Sequence, residues 1–261
     1  MTRLLVLDSG VGGLTVLSEI RRARPDAEIL YLADDAFFPY GGLAEEALVA
    51  RVVALVEESL RDFPADGVVV ACNTASTLVL APLRARLGIP IVGTVPAVKP
   101  AAAASQTKRF SVLATPGTVR RDYTLALIAE HAAGCAVTLV GAPRLAAYAE
   151  AELMGAPVPD ADLLAEIAPS FVEADGTRTD AVVLACTHYP LLVARFERIA
   201  PWLVAWLDPA PAIARRVTNL FGESAADAPP APAAIRFTSG RTPAPPLAEA
   251  LAARGLTLAR P

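Results

Sequence analysis

The segments that decide the fold are Asp66-Gly67-Val68-Val69-Val70-Ala71-Cys72-Asn73-Thr74 and Asp180-Ala181-Val182-Val183-Leu184-Ala185-Cys186-Thr187-His188. Each begins with a short apolar run, which is typical of a parallel strand buried on both faces, and continues into a cysteine and small polar residues. Ligands of open parallel sheets bind beyond the carboxyl ends of the strands. The repeated pattern therefore predicts that Cys72 and Cys186 face one ligand, one thiol from each half of the chain.

Strand-length apolar runs alternate with helical periods along the whole chain. Alternation of this kind is typical of βαβ units, in which helices cover both faces of a parallel sheet. The expected strands are 4–7, 29–32, 68–71, 91–93, 110–114, 137–140, 182–185 and 203–207. Eight strands also fit a closed barrel, but the duplicated strand-cysteine unit favours two similar α/β halves. We therefore predict an α/β fold with two similar domains, whose mainly parallel sheets are flanked by helices.

Two proline-containing segments indicate where the chain passes between these domains. Residues 95–100 are the expected first crossing, and residues 207–209 are the expected return. The first domain then comprises 1–96 plus 208–261, and the second comprises 97–207. A Pro/Ala-rich stretch at 224–234 is typical of a surface linker. After it, residues 235–238 are expected to add an edge strand to the first domain.

Composition and charge exclude several classes of protein. The 261 residues carry a net charge of −4, which gives no basic footprint for nucleic acid. The apolar runs are too short to span a bilayer, and the amino terminus lacks the features of a secretory signal. Three cysteines, none in a C-x-x-C motif, favour a reducing compartment over a disulfide framework. We expect a cytoplasmic protein with neither nucleic-acid nor membrane partners.

A glycine-rich turn follows the first strand, in the segment Asp8-Ser9-Gly10-Val11-Gly12-Gly13. Glycines at a strand-to-helix turn allow backbone N–H groups to approach an anion at the helix N-terminus. The spacing does not match a dinucleotide fingerprint, because Gly10-x-Gly12-x-x-Thr15 has no third small residue for close helix packing. What remains is Asp8 and Ser9, two polar residues directed into the same crevice as Cys72.

The cysteines have simpler interpretations that the spacing tests. A free cysteine after an apolar strand is usually a small buried hydrophobe, and this interpretation is kept for Cys135. Zinc needs about four ligands, whereas Cys186 and His188 supply two. Thiol redox chemistry usually needs neighbouring cysteines, and a phosphatase loop needs an arginine that neither cysteine has at that range. A Cys-His hydrolase activated by His188 stays open, although it leaves Cys72 without a role.

Two thiols that face each other across a ligand suit the inversion of a stereocentre. Proton removal on one face and delivery on the other need a base and an acid on opposite sides, and a thiolate and a thiol exchange these roles reversibly. Such a site needs thiol pKa values drawn from about 8.5 toward the working pH. Asp8 and His188 are candidates for managing this proton balance, and His188 is alternatively a ligand-binding or capping residue.

Nearly the whole chain resembles the cofactor-independent aspartate/glutamate racemase superfamily. The two cysteine motifs are the specific part of this resemblance, since a glycine turn alone is weak. The matching segments are Asp8-Ser9-Gly10-Val11-Gly12-Gly13-Leu14, Tyr31-Leu32-Ala33-Asp34 with Pro39-Tyr40-Gly41, Ala71-Cys72-Asn73-Thr74-Ala75-Ser76, Ala114-Thr115-Pro116-Gly117-Thr118-Val119, Cys186-Thr187-His188-Tyr189-Pro190-Leu191 and Phe237-Thr238-Ser239-Gly240.

The resemblance implies reversible interconversion of L- and D-glutamate for bacterial peptidoglycan, with no cofactor and no metal. It implies that Cys72 and Cys186 are the acid and base, assisted by Asp8 and His188. It also implies two α/β domains with the site in the cleft between them, glutamate as the partner molecule, and a homodimer. The implied substrate-binding residues are Asp8, Ser9, Tyr40, Gly41, Asn73, Thr74, Thr187 and His188. Hydroxyls, an amide and loop N–H groups are suitable donors for the carboxylates of an amino acid.

The chain departs from the family pattern at two places. Ala185 stands where the family usually has glycine, which is a small change. Glu150 matches a family glutamate but has lost several aliphatic neighbours, so an auxiliary role and a plain helix-surface glutamate are both open. Racemases of aspartate or hydantoins share the two-cysteine design, but Thr187-His188-Tyr189-Pro190 favours glutamate. A racemase of another amino acid or hydantoin is the second hypothesis, followed by the hydrolase and by a non-catalytic binding protein.

Overall fold

The structure is a computed structural model that describes residues 1–225 and 227–259. The strands are β1 (Arg3–Asp8), β2 (Glu28–Ala33), β3 (Gly67–Val70), β4 (Ile91–Gly93), β5 (Arg109–Ala114), β6 (Ala136–Gly141), β7 (Glu173–Ala174), β8 (Thr177–Arg178), β9 (Ala181–Ala185), β10 (Ala205–Leu207), β11 (Ala233–Phe237) and β12 (Thr257–Leu258). The α-helices are α1 (Leu14–Ala23), α2 (Glu45–Asp62), α3 (Asn73–Arg86), α4 (Val98–Ala104), α5 (Pro116–Val119), α6 (Asp122–His131), α7 (Leu145–Leu153), α8 (Asp160–Ile167), α9 (Val193–Ile199), α10 (Ala210–Phe221) and α11 (Pro245–Ala252).

The larger sheet has six parallel strands in the order β12-β11-β2-β1-β3-β4. Its central strand β1 is covered on both faces, which explains why residues 4–7 are all apolar instead of alternating with polar ones. Leu7 pairs with Leu32 on one side and with Val70 on the other. The strands are therefore in register, and Asp8 and Cys72 leave the sheet at the same edge.

The smaller sheet has four parallel strands in the order β10-β9-β5-β6. Ala114 at the end of β5 pairs with Ala185 at the end of β9. Thr115 and Cys186, which follow these residues, are therefore neighbours beyond the carboxyl edge of this sheet. We call the six-stranded sheet with its helices the first half of the molecule, and the four-stranded sheet with its helices the second half.

Helices cover both faces of each sheet and complete four apolar clusters. The first half packs α1, α10 and α11 on one face of its sheet and α2 and α3 on the other. The second half packs α7, α8 and α9 on one face and α4 and α6 on the other. Each half therefore has its own core, which consists of two of the four clusters. The prediction of two similar sheet-bearing halves is confirmed, and a single closed barrel is excluded for the described residues.

The expected edge strand at 235–238 is wrong in its position. It corresponds to β11, which lies between β2 and β12, so β12 forms that edge of the sheet. With two residues, β12 is too short to produce a recognisable apolar period. The domain boundaries at 96/97 and 207/208 stay a prediction, and residue 226 of the expected linker and the last two residues of the expected first domain lie outside the described residues.

Within the described residues, no helix combines the length and the apolar character needed to cross a bilayer.

The core of the first half gives a prediction about stability. Leu5→Ala removes a fully buried side chain from β1 and should cost about 2–5 kcal/mol of unfolding free energy, through lost transfer energy and a residual cavity. Leu203→Ala is the matched control, because 90% of that side chain is exposed; a surface change of this kind should cost less than about 0.5 kcal/mol. Urea denaturation followed by circular dichroism measures both, and equal losses would contradict the assigned core.

Candidate active site

The candidate site lies where the carboxyl edges of the two sheets meet. Asp8 is the last residue of β1, and Cys72 follows β3 after one intervening residue. Cys186 directly follows β9 in the second half. Contacts between residues just beyond these strands connect the halves, including Thr187 Oγ1 to an Asp8 carboxylate oxygen at 3.5 Å. The structure thus brings both predicted cysteines into one cleft.

Asp8 is fully buried, and backbone N–H groups surround its carboxylate. It accepts hydrogen bonds from the N–H of Ser9 at 2.8 Å and from the N–H of Gly13 at 2.6 Å. Gly13 precedes α1, so this carboxylate occupies the positive end of the helix dipole. The glycine turn therefore binds an anion as its sequence suggests, but the anion is the side chain of Asp8 itself.

Both thiols are nearly inaccessible, and each has its own titratable neighbour. Cys72 is 5% exposed and its thiol is a hydrogen-bond neighbour of Asp8. Cys186 is 6% exposed, and its sulfur lies 3.9 Å from Nδ1 of His188. The two neighbours differ in sign when charged, because a carboxylate accompanies one thiol and an imidazole accompanies the other.

Glu150 connects the two halves through a single carboxylate oxygen. Its Oε1 accepts a hydrogen bond from the N–H of Val11 at 3.0 Å, and it lies 3.1 Å from Nε2 of His188. Both Glu150 and His188 are buried. The interpretation of Glu150 as a plain surface glutamate is therefore wrong, because α7 directs this side chain into the cleft.

The glycines of the turn are required by this close approach. A Cβ atom on Gly12 would lie 2.2 Å from Nδ1 of His188, and a Cβ atom on Gly10 would lie 2.0 Å from Oε1 of Glu150. Neither distance is compatible with a side chain unless the opposite residue moves. Gly10 and Gly12 therefore fit the first half against the second, which is a different role from the phosphate binding of a dinucleotide turn.

Three threonine hydroxyls form a second connection between the halves. Thr74 Oγ1 lies 3.1 Å from Thr115 Oγ1 and 3.2 Å from Thr118 Oγ1, and the latter two are 2.9 Å apart. Beside Thr74, the amide of Asn73 is buried, and neither its nitrogen nor its oxygen forms a hydrogen bond within the described residues. Buried polar groups are almost always paired, so this amide is suited to hold a polar ligand.

Tyr40 and Gly41 lie in a 3₁₀ turn that borders the cleft. The Tyr40 hydroxyl donates to Asp34 at 2.6 Å, and the same carboxylate accepts two hydrogen bonds from Arg51. The phenol therefore anchors the turn, while a Cβ atom on Gly41 would lie 3.6 Å from Thr115. The turn presents its backbone to the threonine cluster.

Known proteins with similar sequences show the family to which the chain belongs. A sequence profile described as Asp/Glu/Hydantoin racemase matches residues 14–217. The chain belongs to this racemase family. It is 56% identical over 219 residues to a glutamate racemase of Brucella canis, covering 84% of this chain and 79% of that protein. It is 55% identical over 218 residues to one of Agrobacterium fabrum, covering 83% and 80% of the two chains.

Solved structures of the racemase family share the whole fold. A glutamate racemase of Escherichia coli, in complex with L-glutamate and the activator UDP-MurNAc-Ala, superposes with a TM-score of 0.88 at 38% identity. The alignment covers 98% of this chain and 96% of that chain. The chain is therefore an isomerase with the two-half architecture of these racemases.

Burial dominates the electrostatics of this racemase site. It raises the pKa of Asp8, against the opposing effects of His188 and the backbone N–H groups. It also raises the pKa of Cys72 well above its usual value, and the nearby Asp8 carboxylate adds to the rise. The expectation of a thiol pKa drawn down toward the working pH is thus wrong for Cys72 in this structure, because burial and a neighbouring negative charge both disfavour a thiolate.

His188 behaves in the opposite way. Burial alone would lower its pKa, but hydrogen bonds to Cys186 and Glu150 and the charge of Asp8 outweigh burial, so the pKa lies well above 6.5. The neighbours of His188 therefore favour its protonated, imidazolium form. Its two ring nitrogens point at different partners, Nδ1 at a thiol and Nε2 at a carboxylate.

Thr115, Thr118 and Phe38 are not among the site residues that the sequence predicts, although one of the matching segments contains the two threonines. Thr115 and Thr118 follow a predicted strand in the same way as the cysteine motifs do, so their position at the end of β5 is the signal that could reveal them. Phe38, from the turn region of the first half, packs its ring 5.5 Å from that of His188. No local pattern indicates that contact. Among the described residues, no group of three or more His, Cys, Asp or Glu side chains is arranged to hold a metal ion.

The Glu150–His188 pair gives a prediction about titration. We expect His188 to titrate well above 6.5 and Glu150→Gln to lower that pKa, because the variant removes one of the partners that raise it. Stability contributed by the pair is complete below the unfolded-state pKa of about 6.5 and is lost as the pH rises through the folded-state value.

Nuclear magnetic resonance of the two histidines measures this titration, and His131→Asn assigns their signals. Glu152→Gln is the matched control, because Glu152 lies on the same helix but pairs with Arg195. An unchanged His188 pKa in Glu150→Gln, or an equal change in the control, would contradict the assigned pair.

Proposed function

We propose that the chain interconverts L- and D-glutamate by proton transfer at the α-carbon, with Cys72 and Cys186 on opposite faces of the substrate. The observation that carries the proposal is the arrangement of two buried thiols in one cleft, each beside its own titratable partner. The names of relatives at 55–56% identity support glutamate as the substrate, as does the L-glutamate complex of the Escherichia coli relative.

Each turnover needs one thiolate and one thiol. The raised pKa of Cys72 favours its thiol form, which suits the direction of turnover in which Cys72 is the acid and Cys186 is the base. In this direction the Cys186 thiolate removes the α-proton and becomes a thiol, and Cys72 delivers its proton to the opposite face and becomes a thiolate. The site then holds the protonation state that starts the reverse reaction, so the two directions are mirror images.

Uncharged donors are suited to hold the substrate. The Asn73 amide and the hydroxyls of Thr74 and Thr187 lie beside the thiols, and the Ser9 hydroxyl and the turn at Gly41 border the same cleft. Such donors bind carboxylates and stabilise the negative charge that develops when the α-proton leaves. Exclusion of water from a buried site strengthens these interactions. In this mechanism no cofactor takes up the charge.

Asp8 and His188 manage the protons of the thiols. Asp8 stands by Cys72 and favours its protonated form, and the imidazolium of His188 faces the sulfur that becomes negative at Cys186. Glu150 keeps the ring of His188 in this orientation through Nε2. Removal of either partner should therefore affect the proton balance of one thiol more than that of the other.

The alternatives fit the cleft less well. A Cys-His hydrolase would use Cys186 and His188 but would leave Cys72, in the same cleft, without a function. Racemisation of aspartate or a hydantoin would use both thiols, and the names of the relatives favour glutamate over these substrates. A non-catalytic binding protein would need neither thiol.

The biological setting follows from the substrate. We propose that the product D-glutamate serves peptidoglycan synthesis in the cytoplasm; support comes from the Escherichia coli relative, whose activator carries the peptidoglycan sugar N-acetylmuramic acid. The homodimer implied by the resemblance stays a prediction that analytical ultracentrifugation checks. The division into domains 1–96 plus 208–261 and 97–207 is likewise part of the proposal.

The substrate and the thiols are tested together by circular dichroism polarimetry. The purified protein should racemise glutamate much faster than aspartate or a hydantoin, without added metal or cofactor. Cys72→Ala and Cys186→Ala should each lower the rate by at least about 10³-fold in both directions, because either change removes one acid/base group. Cys135→Ala is the matched control and should keep full activity. Substantial activity in Cys186→Ala would reject the two-thiol mechanism.

Isotope exchange tests the opposed geometry. In deuterium oxide, newly formed D-glutamate should carry solvent deuterium at the α-carbon from the first turnovers, while unreacted L-glutamate stays protiated. The reason is that the donor thiol has exchanged with solvent and the abstracted proton remains on the other sulfur. Mass spectrometry of the separated enantiomers gives the result. Early retention of the α-proton in the D product would show that a single base serves both faces.

A further inference from the structure

The cleft is closed in this structure, so a substrate reaches the thiols only when part of the contact between the two halves opens. Cys72, Cys186 and His188 are each at most 6% exposed. The molecule has surface cavities of 320 to 510 Å³, but these are lined by residues other than the acid/base groups. Access to the thiols therefore requires one of the contacts between the halves to open.

The contacts that hold the cleft shut include two groups with different compositions. One contains Glu150 and His188, which belong to the proposed proton machinery and approach Gly10 and Gly12. The other runs from Thr115 to Arg121 in the second half and contacts the first half without any acid/base group. A contact that opens and closes at every turnover is better placed in the second group, because opening there leaves the proton partners in position.

An ion pair forms the outer end of the second group. Glu45, the first residue of α2, pairs with Arg121, which directly precedes α6. The glutamate side chain is 56% exposed, whereas the arginine side chain is only 16% exposed. The pair therefore sits at the rim of the cleft, where one partner meets solvent and the other covers the interior.

Arg121 is linked to the cleft by short steps along the chain. Its backbone N–H donates to the carbonyl of Thr118 at 3.3 Å, and the Thr118 hydroxyl contacts that of Thr74 at 3.2 Å. On the same segment, a Cβ atom on Gly117 would lie 3.4 Å from the carbonyl oxygen of Gly41. Movement of Arg121 away from Glu45 would thus draw the whole segment off the threonine cluster.

We propose that the Glu45–Arg121 pair is the gate of the cleft, which holds the segment 115–121 over the bound substrate and releases it for exchange. The role of the bound molecule rests on the proposed function, but the gate itself is a property of the closed fold. A half-exposed ion pair is a weak contact that salt screens, which suits a gate that must open often. Because Nε of Arg121 forms no hydrogen bond within the described residues, loss of Glu45 leaves the guanidinium poorly held.

Thiol alkylation measures the gate without any need for catalysis. Iodoacetamide should label Cys72 and Cys186 about two- to fivefold faster in Glu45→Gln than in the parent protein, which is the range expected from one exposed ion pair. Cys135 is partly exposed and serves as the internal standard, with an unchanged rate. Glu46→Gln is the matched control, because Glu46 lies in the same helical turn and is also exposed.

Charge reversal makes the test independent of folding defects. Glu45→Arg should open the gate further than Glu45→Gln does, and the double variant Glu45→Arg with Arg121→Glu should return the labelling rates toward those of the parent. Equal labelling of Cys72 and Cys186 in Glu45→Gln and Glu46→Gln would overturn the gate. A rise at Cys135 of the same size would also overturn it, because the molecule would then be loosened generally.

Steady-state kinetics separates the gate from the proposed function. If both hold, Glu45→Gln should raise KM for L-glutamate about two- to fivefold without lowering kcat, because the closed state is less populated while the acid/base groups are intact. Selective thiol labelling in a protein that does not racemise glutamate would keep the gate and reject the function. Racemisation of glutamate together with equal thiol labelling in Glu45→Gln and Glu46→Gln would keep the proposed function and reject the gate.

Discussion

The contact on which the site depends is made by one oxygen atom. Oε1 of Glu150 receives the N–H of Val11 from the first half and faces Nε2 of His188 from the second. A buried carboxylate without such partners is costly, so each partner stabilises the position of the other. The approach of the glycine turn and the contact between Thr187 and Asp8 require the halves to meet as this oxygen holds them. The same oxygen orients His188 toward Cys186 within the second half.

Charge compensation explains how so many ionisable groups share one dry cleft. Asp8 is stabilised by N–H groups at the start of α1, and Glu150 is stabilised by a backbone N–H and by the imidazolium of His188. The side chains that remain for a ligand, such as the Asn73 amide and the Thr74 hydroxyl, are uncharged. The cleft can therefore bind an anionic substrate through neutral side chains. When the substrate leaves, these side chains leave no unpaired charge in the buried cleft.

The parts of the fold that the sequence predicts are those with local signals. An apolar run followed by a cysteine identifies β3 and β9, because each of these two signals lies within nine consecutive residues. The repetition of the signal indicates two halves. The Glu150–Val11 contact spans 139 positions along the chain, and no local pattern contains it. The raised pKa of Cys72 escapes prediction as well, since neither its burial nor the approach of Asp8 is visible in its own motif. The edge strand β12 is missed because two residues give no period.

The glycine turn shows how the halves restrict each other's evolution. The backbone of Gly12 needs no left-handed conformation, and the three atoms nearest to a Cβ atom there all belong to the ring of His188. The requirement for glycine at this position is therefore imposed by a residue 176 positions away. A substitution at position 10 or 12 consequently depends on the volume of residues 150 and 188. A chain that exchanged its second half for another would need a matching change in this turn.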